Sequence, residues 1–159
     1  MYDSDFPICY SWGKAVDMIQ KRRRPYLGEG MFRYYADAED FGRKRAICER
    51  ALQVAEGFKD AHFAHETRVV LSYVRLAECI YRVAEPLATL DLTDPDNQEV
   101  FRAAVQRLER AGAENVCAIQ TWRSALGPEP WHTRVHDALR ATETTVQQIS
   151  RFVSERYLY

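Results

Sequence analysis

The stretch from Phe63 to Ala88 carries apolar residues at Phe63, Val70, Tyr73, Val74, Ala77, Ile80, Tyr81, Ala84, Leu87 and Ala88. Gaps of one, three, four and seven residues line them along one side of a 3.6-residue helix, whereas a half-buried strand would need strict alternation. Arg75, Glu78, Arg82 and Glu85 fall on the other side, with Glu78 and Arg82 in the favourable i,i+4 order. A long amphipathic rod of this kind buries its stripe against other rods, and no segment of the chain alternates with period two for long enough to form a strand.

Four further helices follow from the same spacing. Asp91-Leu92-Thr93-Asp94-Pro95-Asp96 is a stop and a start, because Pro95 cannot continue a helix while Asp94 can cap the next one with proline at its first position. The next stripe, from Phe101 through Leu108 and Asn115 to Trp122, ends at Gly127-Pro128-Glu129-Pro130, and a last one runs from Val135 to Val153. Upstream, Ile8, Trp12, Ala15, Val16 and Ile19 make a short helix. Phe41, Cys48, Leu52, Ala55 and Phe58 make another, its stripe widened by Ile47, Ala51 and Val54. The predicted helices span about 7–21, 34–60, 63–90, 95–126 and 131–156 in one domain, 1–159. The expected fold is all-α: an up-and-down antiparallel four-helix bundle with an additional short N-terminal helix.

Composition removes the competing classes. At 47% apolar and 28% charged the chain is no disordered segment, and its 7 Gly and 6 Pro, mostly gathered in two places, are too few for the turns of a sandwich or barrel. Cys9, Cys48, Cys79 and Cys117 contain no CxxC pair and no zinc-finger spacing, which fits a reduced chain, and the acidic start Met1 to Asp5 lacks the basic-then-apolar pattern of a secretory signal. With no run of 18 apolar residues, the expectation is a cytoplasmic protein that does not span a membrane. Cys48 and Cys79 fall on or beside apolar stripes and read as packing, not as nucleophiles.

Two groups of residues carry candidate chemistry. His62 and His65 are spaced i,i+3 and His132 and His136 i,i+4, and in the predicted bundle their helices run parallel, so all four imidazoles lie at one end. With Glu56, Asp60, Glu66, Glu129 and Asp137 nearby, they could hold a divalent metal; equally, histidines gather at exposed helix starts because they are polar. One early histidine followed by His-x-x-x-His is loosely similar to the DinB-like metal-binding bundles, but the Glu-x-x-His pair of di-iron bundles is absent. The second group is basic: residues 20–50 hold nine Lys or Arg against five Asp or Glu, including Arg22, Arg23, Arg24, Arg43, Lys44 and Arg45. Beside Tyr26, Tyr34 and Tyr35 these guanidinium groups suit phosphate contact and base stacking, although the net charge of −1 argues against tight nonspecific binding. The nucleophile and phosphate-loop motifs Gly-x-Ser-x-Gly and Gly-x-Gly-x-x-Gly do not occur, so no enzyme is expected and no cofactor beyond that metal. Trp131, Tyr157 and Tyr159 are candidate interface aromatics.

Taken in order, Trp12-Gly13-Lys14-Ala15-Val16-Asp17-Met18-Ile19, Arg45-Ala46-Ile47 leading to Val54-Ala55-Glu56-Gly57-Phe58, and Leu71 to Glu78 resemble the four-helix-bundle proteins encoded in intervening sequences of 23S rRNA genes. The accessory variability proteins of diversity-generating retroelements share that fold. The resemblance covers roughly residues 12 to 126. It implies a nonenzymatic accessory scaffold that forms homo-oligomers and docks onto RNA, DNA or a reverse-transcriptase-type partner. The long loop from Arg22 to Asp40, the extra helix after Trp131 and the near-neutral charge depart from that family.

Overall fold

In the computed structural model the backbone is described for residues 7–126 and 132–158, and the side chains for 14–125 and 137–158. The five helices are α1 (Pro7–Gln20), α2 (Asp40–Gly57), α3 (Ala61–Thr89), α4 (Pro95–Leu126) and α5 (His132–Tyr157), and among the described residues there is no strand. The all-α helical bundle is as the spacing predicts. Each start has a chemical cause. The Asp60 carboxylate accepts the Phe63 N–H at 3.0 Å and caps α3, and Asp94 accepts the Asp96 N–H at 3.0 Å ahead of α4, with Pro95 in the first-turn position it suits. Two ends also share a pattern: Arg23 N–H returns to Met18 O at the end of α1 and Asp60 N–H to Ala55 O at the end of α2. In each, the preceding residue, Arg22 (φ 49°) or Lys59 (φ 57°), is left-handed.

α2 begins later than the predicted position near Tyr34. Asp37 accepts the N–H groups of Glu39 and Asp40, Asp40 accepts that of Ala36, and Arg43 bonds both carboxylates, so the segment before Asp40 is a hydrogen-bonded turn. Tyr34 and Tyr35 sit ahead of it because Tyr35 stacks on Phe41, centroids 4.1 Å apart, instead of continuing the helix.

The order of packing is α2 on α3, α3 on α4, α4 on α5, and α5 on α1, which also touches α3. Thus α1, predicted as the additional helix, closes the ring with α3, α4 and α5, and α2 lies outside, resting chiefly on α3. Direction follows from side-chain pairs. Ser150 meets Glu109 and Thr142 meets Asn115, so α5 runs against α4; Arg45 pairs with Glu78 and Arg75 with Glu49, so α2 runs against α3. Arg22 at the end of α1 donates to Leu87 O near the end of α3 at 2.9 Å and lies over Tyr157 near the end of α5, which brings three C-termini to one end of the molecule.

The main core fills this ring with Ile19, Leu76, Ile80, Leu87, Phe101, Leu108 and Ile149, and Phe41 of α2 extends it, each side chain almost wholly buried. Towards the end where α3 starts, a smaller cluster of Ile119, Ala138 and Leu139 packs with Val69, Val116 and Trp122. Between the two, a polar relay crosses three helices: Asn115, fully buried, donates from Nδ2 to Ser72 Oγ at 3.0 Å and accepts from Thr142 Oγ1 at 2.9 Å. One turn earlier on α4, Gly112 allows α5 to approach so closely that a Cβ there would lie 2.8 Å from a Val146 methyl.

The predicted stripe of α2 is only partly interior. Phe41 and Ala55 are buried, but Ile47, Val54 and Phe58 are exposed, as are Phe63 and Val70 of α3. The cause is the exchange of places just described: the ring is closed by α1, so among the described residues the outer flank of the α2–α3 hairpin meets no further helix.

Candidate nucleic-acid interface

The connection from Lys21 to Glu39 spans the end of the molecule where α1, α3 and α5 terminate and α2 begins. Its fold is set by inward residues: Pro25, Met31, Phe32 and Tyr35 are buried, and Phe32 meets Phe41 and Tyr81 edge-on at 6.2 and 5.6 Å. Gly28, at φ 84°, turns the chain so that its N–H reaches Phe32 O at 3.0 Å, and Gly30–Phe32 forms a single 3-10 turn. Leu27 leans on this packed base, and the polar and charged side chains around it face outward. Arg23, Arg24, Tyr26, Arg33 and Tyr34 are exposed, Tyr26 by 64% and Tyr34 by 59%, and the Arg33 guanidinium lies 4.7 Å over the Tyr34 ring. From Lys21 to Tyr35 five cationic side chains stand against one carboxylate, Glu29, in a chain whose overall charge is −1.

The six basic candidates differ in what occupies them. Arg22 is a structural clasp on Leu87 O and Tyr157. Arg43 is held by Asp37, Asp40 and Glu39, and its guanidinium keeps the Asp37 carboxyl below its ordinary value, while the Ala36 N–H and Arg43 do so for Asp40. Arg45 pairs with Glu78, and Lys44 lies 5.5 Å over the Tyr35 ring. Arg23 has only a 3.7 Å contact with Asp17, a carboxylate that Lys21 also engages, and Arg24 has no ion pair among the described residues. Tyr35, expected as a stacking partner, is 3% exposed, and burial pushes its phenol well above the ordinary range. Arg33 was not among the candidates; its adjacency to Tyr34 between the two glycines and Asp37 was the available signal.

The histidines divide. His62 is exposed and faces Glu66 at 3.2 Å, whereas His65 turns into a trough between α2 and α4, where its buried Nδ1 has no hydrogen-bond partner. His132 and His136 start α5, and their side chains lie outside the described residues; α3 and α5 do run parallel, as the sequence predicts, so the helix starts share one end. Among the described residues no three His, Cys, Asp or Glu side chains converge on a point that could hold a metal ion. The trough consists of two cavities of about 530 and 520 Å³ joined at Glu49, Arg75 and Glu114. Its charges are largely spent on one another, Arg75 bridging Glu49 at 3.3 Å and Glu114 at 3.5 Å, with Arg68 on Glu56.

Burial pushes the Cys79 thiol up to about 11 and raises Cys48, which favours the unreactive protonated form expected of packing cysteines. Tyr157 is half-buried against Phe152 and Arg22, while Trp131 and Tyr159 lie outside the described residues. No described helix is long and apolar enough to cross a membrane. Compared with family models, curated proteins and solved structures, the chain matches none of them, so the resemblance to the intervening-sequence and retroelement bundles rests on the residues that carry it.

Proposed function

We propose that this protein is a nonenzymatic helical-bundle accessory scaffold that self-associates and holds a single-stranded nucleic acid, or the exposed strand of a ribonucleoprotein, on its Lys21–Tyr35 loop. The observation that carries the reading is the pairing of exposed Tyr26 and Tyr34 with outward Arg23, Arg24 and Arg33 on a loop whose base is packed into the core. Aromatic faces stack on bases whatever their sequence, and guanidinium groups take the backbone phosphates; a loop fixed beforehand loses little freedom on binding. The interface is smaller than the sequence alone implies, since Arg22, Arg43 and Arg45 already serve the fold.

Fluorescence anisotropy with a labelled single-stranded oligouridylate tests it. With three or four phosphates engaged, log K should fall against log salt with a slope of roughly −2 to −3. Arg24→Glu should flatten the slope, and Tyr34→Ala should weaken binding about 5- to 150-fold at constant salt, the worth of one stacked base. Absence of binding at low salt, or affinity indifferent to salt and to both substitutions, would refute the reading.

A further inference from the structure

We infer that the outer flank of the α2–α3 hairpin is where a second copy of this chain docks, the two hairpins packing face to face about a two-fold axis. This deepens the self-association half of the proposed function and is independent of the loop that would hold nucleic acid.

The surface is built from two short patterns. On α2, Ile47, Arg50 and Val54 follow at i, i+3 and i+7, with Phe58 one turn further; on α3, Phe63, Glu66 and Val70 follow at the same spacing. The five apolar members are exposed, Phe58 by 83% and the others by about half. Because α2 and α3 are antiparallel, with Glu56 beside Arg68 and Glu49 beside Arg75, Val54 and Val70 come to the same level at the middle of the stripe. Scaled by their exposures, with a full area of about 150–250 Å² for a phenylalanine and roughly the lower end of that range for valine and isoleucine, the five side chains offer on the order of 450–700 Å² of apolar surface. That is at or above the size of the largest apolar patch on a typical monomer, and in an interface about 60% apolar it corresponds to roughly 750–1,200 Å² per partner, in the range of a standard pair.

Charge selects the second copy as occupant. Among the described residues Arg50 makes no ion pair and Glu66 faces only His62, which is cationic only when protonated. Each interrupts an apolar stripe one helical turn from its middle, Arg50 towards the end where α3 finishes and Glu66 towards the end where α3 starts, about 6 Å either side at 1.5 Å per residue. A two-fold axis lying in this face and passing obliquely between Val54 and Val70 exchanges the two charged positions, so that Arg50 of one copy meets Glu66 of the other and the two hairpins cross at a steep angle. The surface is therefore complementary to itself, the requirement of an isologous pair.

Size-exclusion chromatography with light scattering on the full chain at micromolar concentration should give twice the 18.5 kDa chain mass. The exposed positions allow Val54→Glu with Phe58→Glu without touching the core, and this variant should run as a monomer with an unchanged circular-dichroism spectrum. Arg50→Glu should raise the dimer dissociation constant about tenfold, and adding Glu66→Arg should restore it. A monomeric wild type, including one whose face takes some other protein instead, overturns the inference, as does a dimer that survives the double glutamate variant. A charge exchange that fails to restore affinity overturns the two-fold arrangement. Oligouridylate binding by the monomeric variant separates this outcome from failure of the loop reading, because the two surfaces share no residue.

Discussion

Gly112→Ala is the sharpest test of how closely the bundle is packed. On an isolated helix the substitution would stabilise, since alanine is better than glycine by about 1 kcal/mol in a helix interior. Here the new methyl would sit 2.8 and 3.1 Å from the two methyls of Val146 and 3.3 Å from its Cβ. Valine is held near one rotamer in a helix, and turning it moves one methyl away only by bringing other atoms in, so α4 and α5 must separate. Overpacking costs about 1–3 kcal/mol, and a stiff neighbour on a buried crossing places this case in the upper half of that range. The net expectation is a loss of about 1–2 kcal/mol, seen as a fall in Tm of roughly 2–8 °C for a chain of this size. Urea titration followed at the helical circular-dichroism band should show a lower midpoint with an unchanged slope. Val146→Ala alone should also destabilise, by roughly 2 kcal/mol through its cavity, yet the two changes together should cost less than their sum by about 1 kcal/mol or more, because one methyl fills the space of another. Additive effects, or a Gly112→Ala protein as stable as wild type, would refute the close-approach argument.

Two further outcomes follow from described contacts. Asn115→Ala should cost about 2–3 kcal/mol by urea titration, because it empties a buried site and takes the cross-helix partner from Ser72 and Thr142; combining Ser72→Ala, Asn115→Leu and Thr142→Val should come within about 1 kcal/mol of wild type, since no polar group is then left behind. In Arg43→Ala the thermal midpoint should fall below wild type at neutral pH, and the gap should close as pH drops: Asp37 and Asp40 have folded pKa values below the ordinary 3.8, so their contribution is complete above about pH 4 and is lost as pH falls through the lowered values. A gap that does not change between pH 7 and pH 2.5 in circular-dichroism melts would count against that assignment.

Much of this was legible in the order of residues. Asp94-Pro95 marked the start of α4, because capping is a local reaction between neighbours, whereas Asp60, read in the sequence only as a possible metal neighbour, caps α3 by the same reaction. The start of α2 was misplaced because Tyr34, Tyr35 and Phe41 mimic helical spacing, while the force that pulls Tyr35 out of the helix is a long-range aromatic cluster around Tyr81. The positions of α1 and α2 were not readable, for two short amphipathic segments compete for one groove and only the partner surface decides. The basic residues show the same limit. A run of arginines is visible in sequence, but Arg22 bonding 65 residues away at Leu87 and Arg45 pairing 33 residues away with Glu78 are not. Arg33, pressed on its own neighbour Tyr34, was the member most open to local reading.

The closure of the ring by α1 against α5 bears on how the chain reaches its native state. More than a hundred residues separate the end of one from the start of the other, so α1, made before α2 to α5, lacks its main partner until nearly all of the bundle exists. During synthesis its greasy side must wait in water or lean on α3 as a temporary host, and a nascent chain stalled before α5 would carry that unmet surface into the crowded cell. Assembly of this bundle is thus expected to be limited by the meeting of α1 with α5, a distant search that entropy makes slow, and not by the coiling of any single rod.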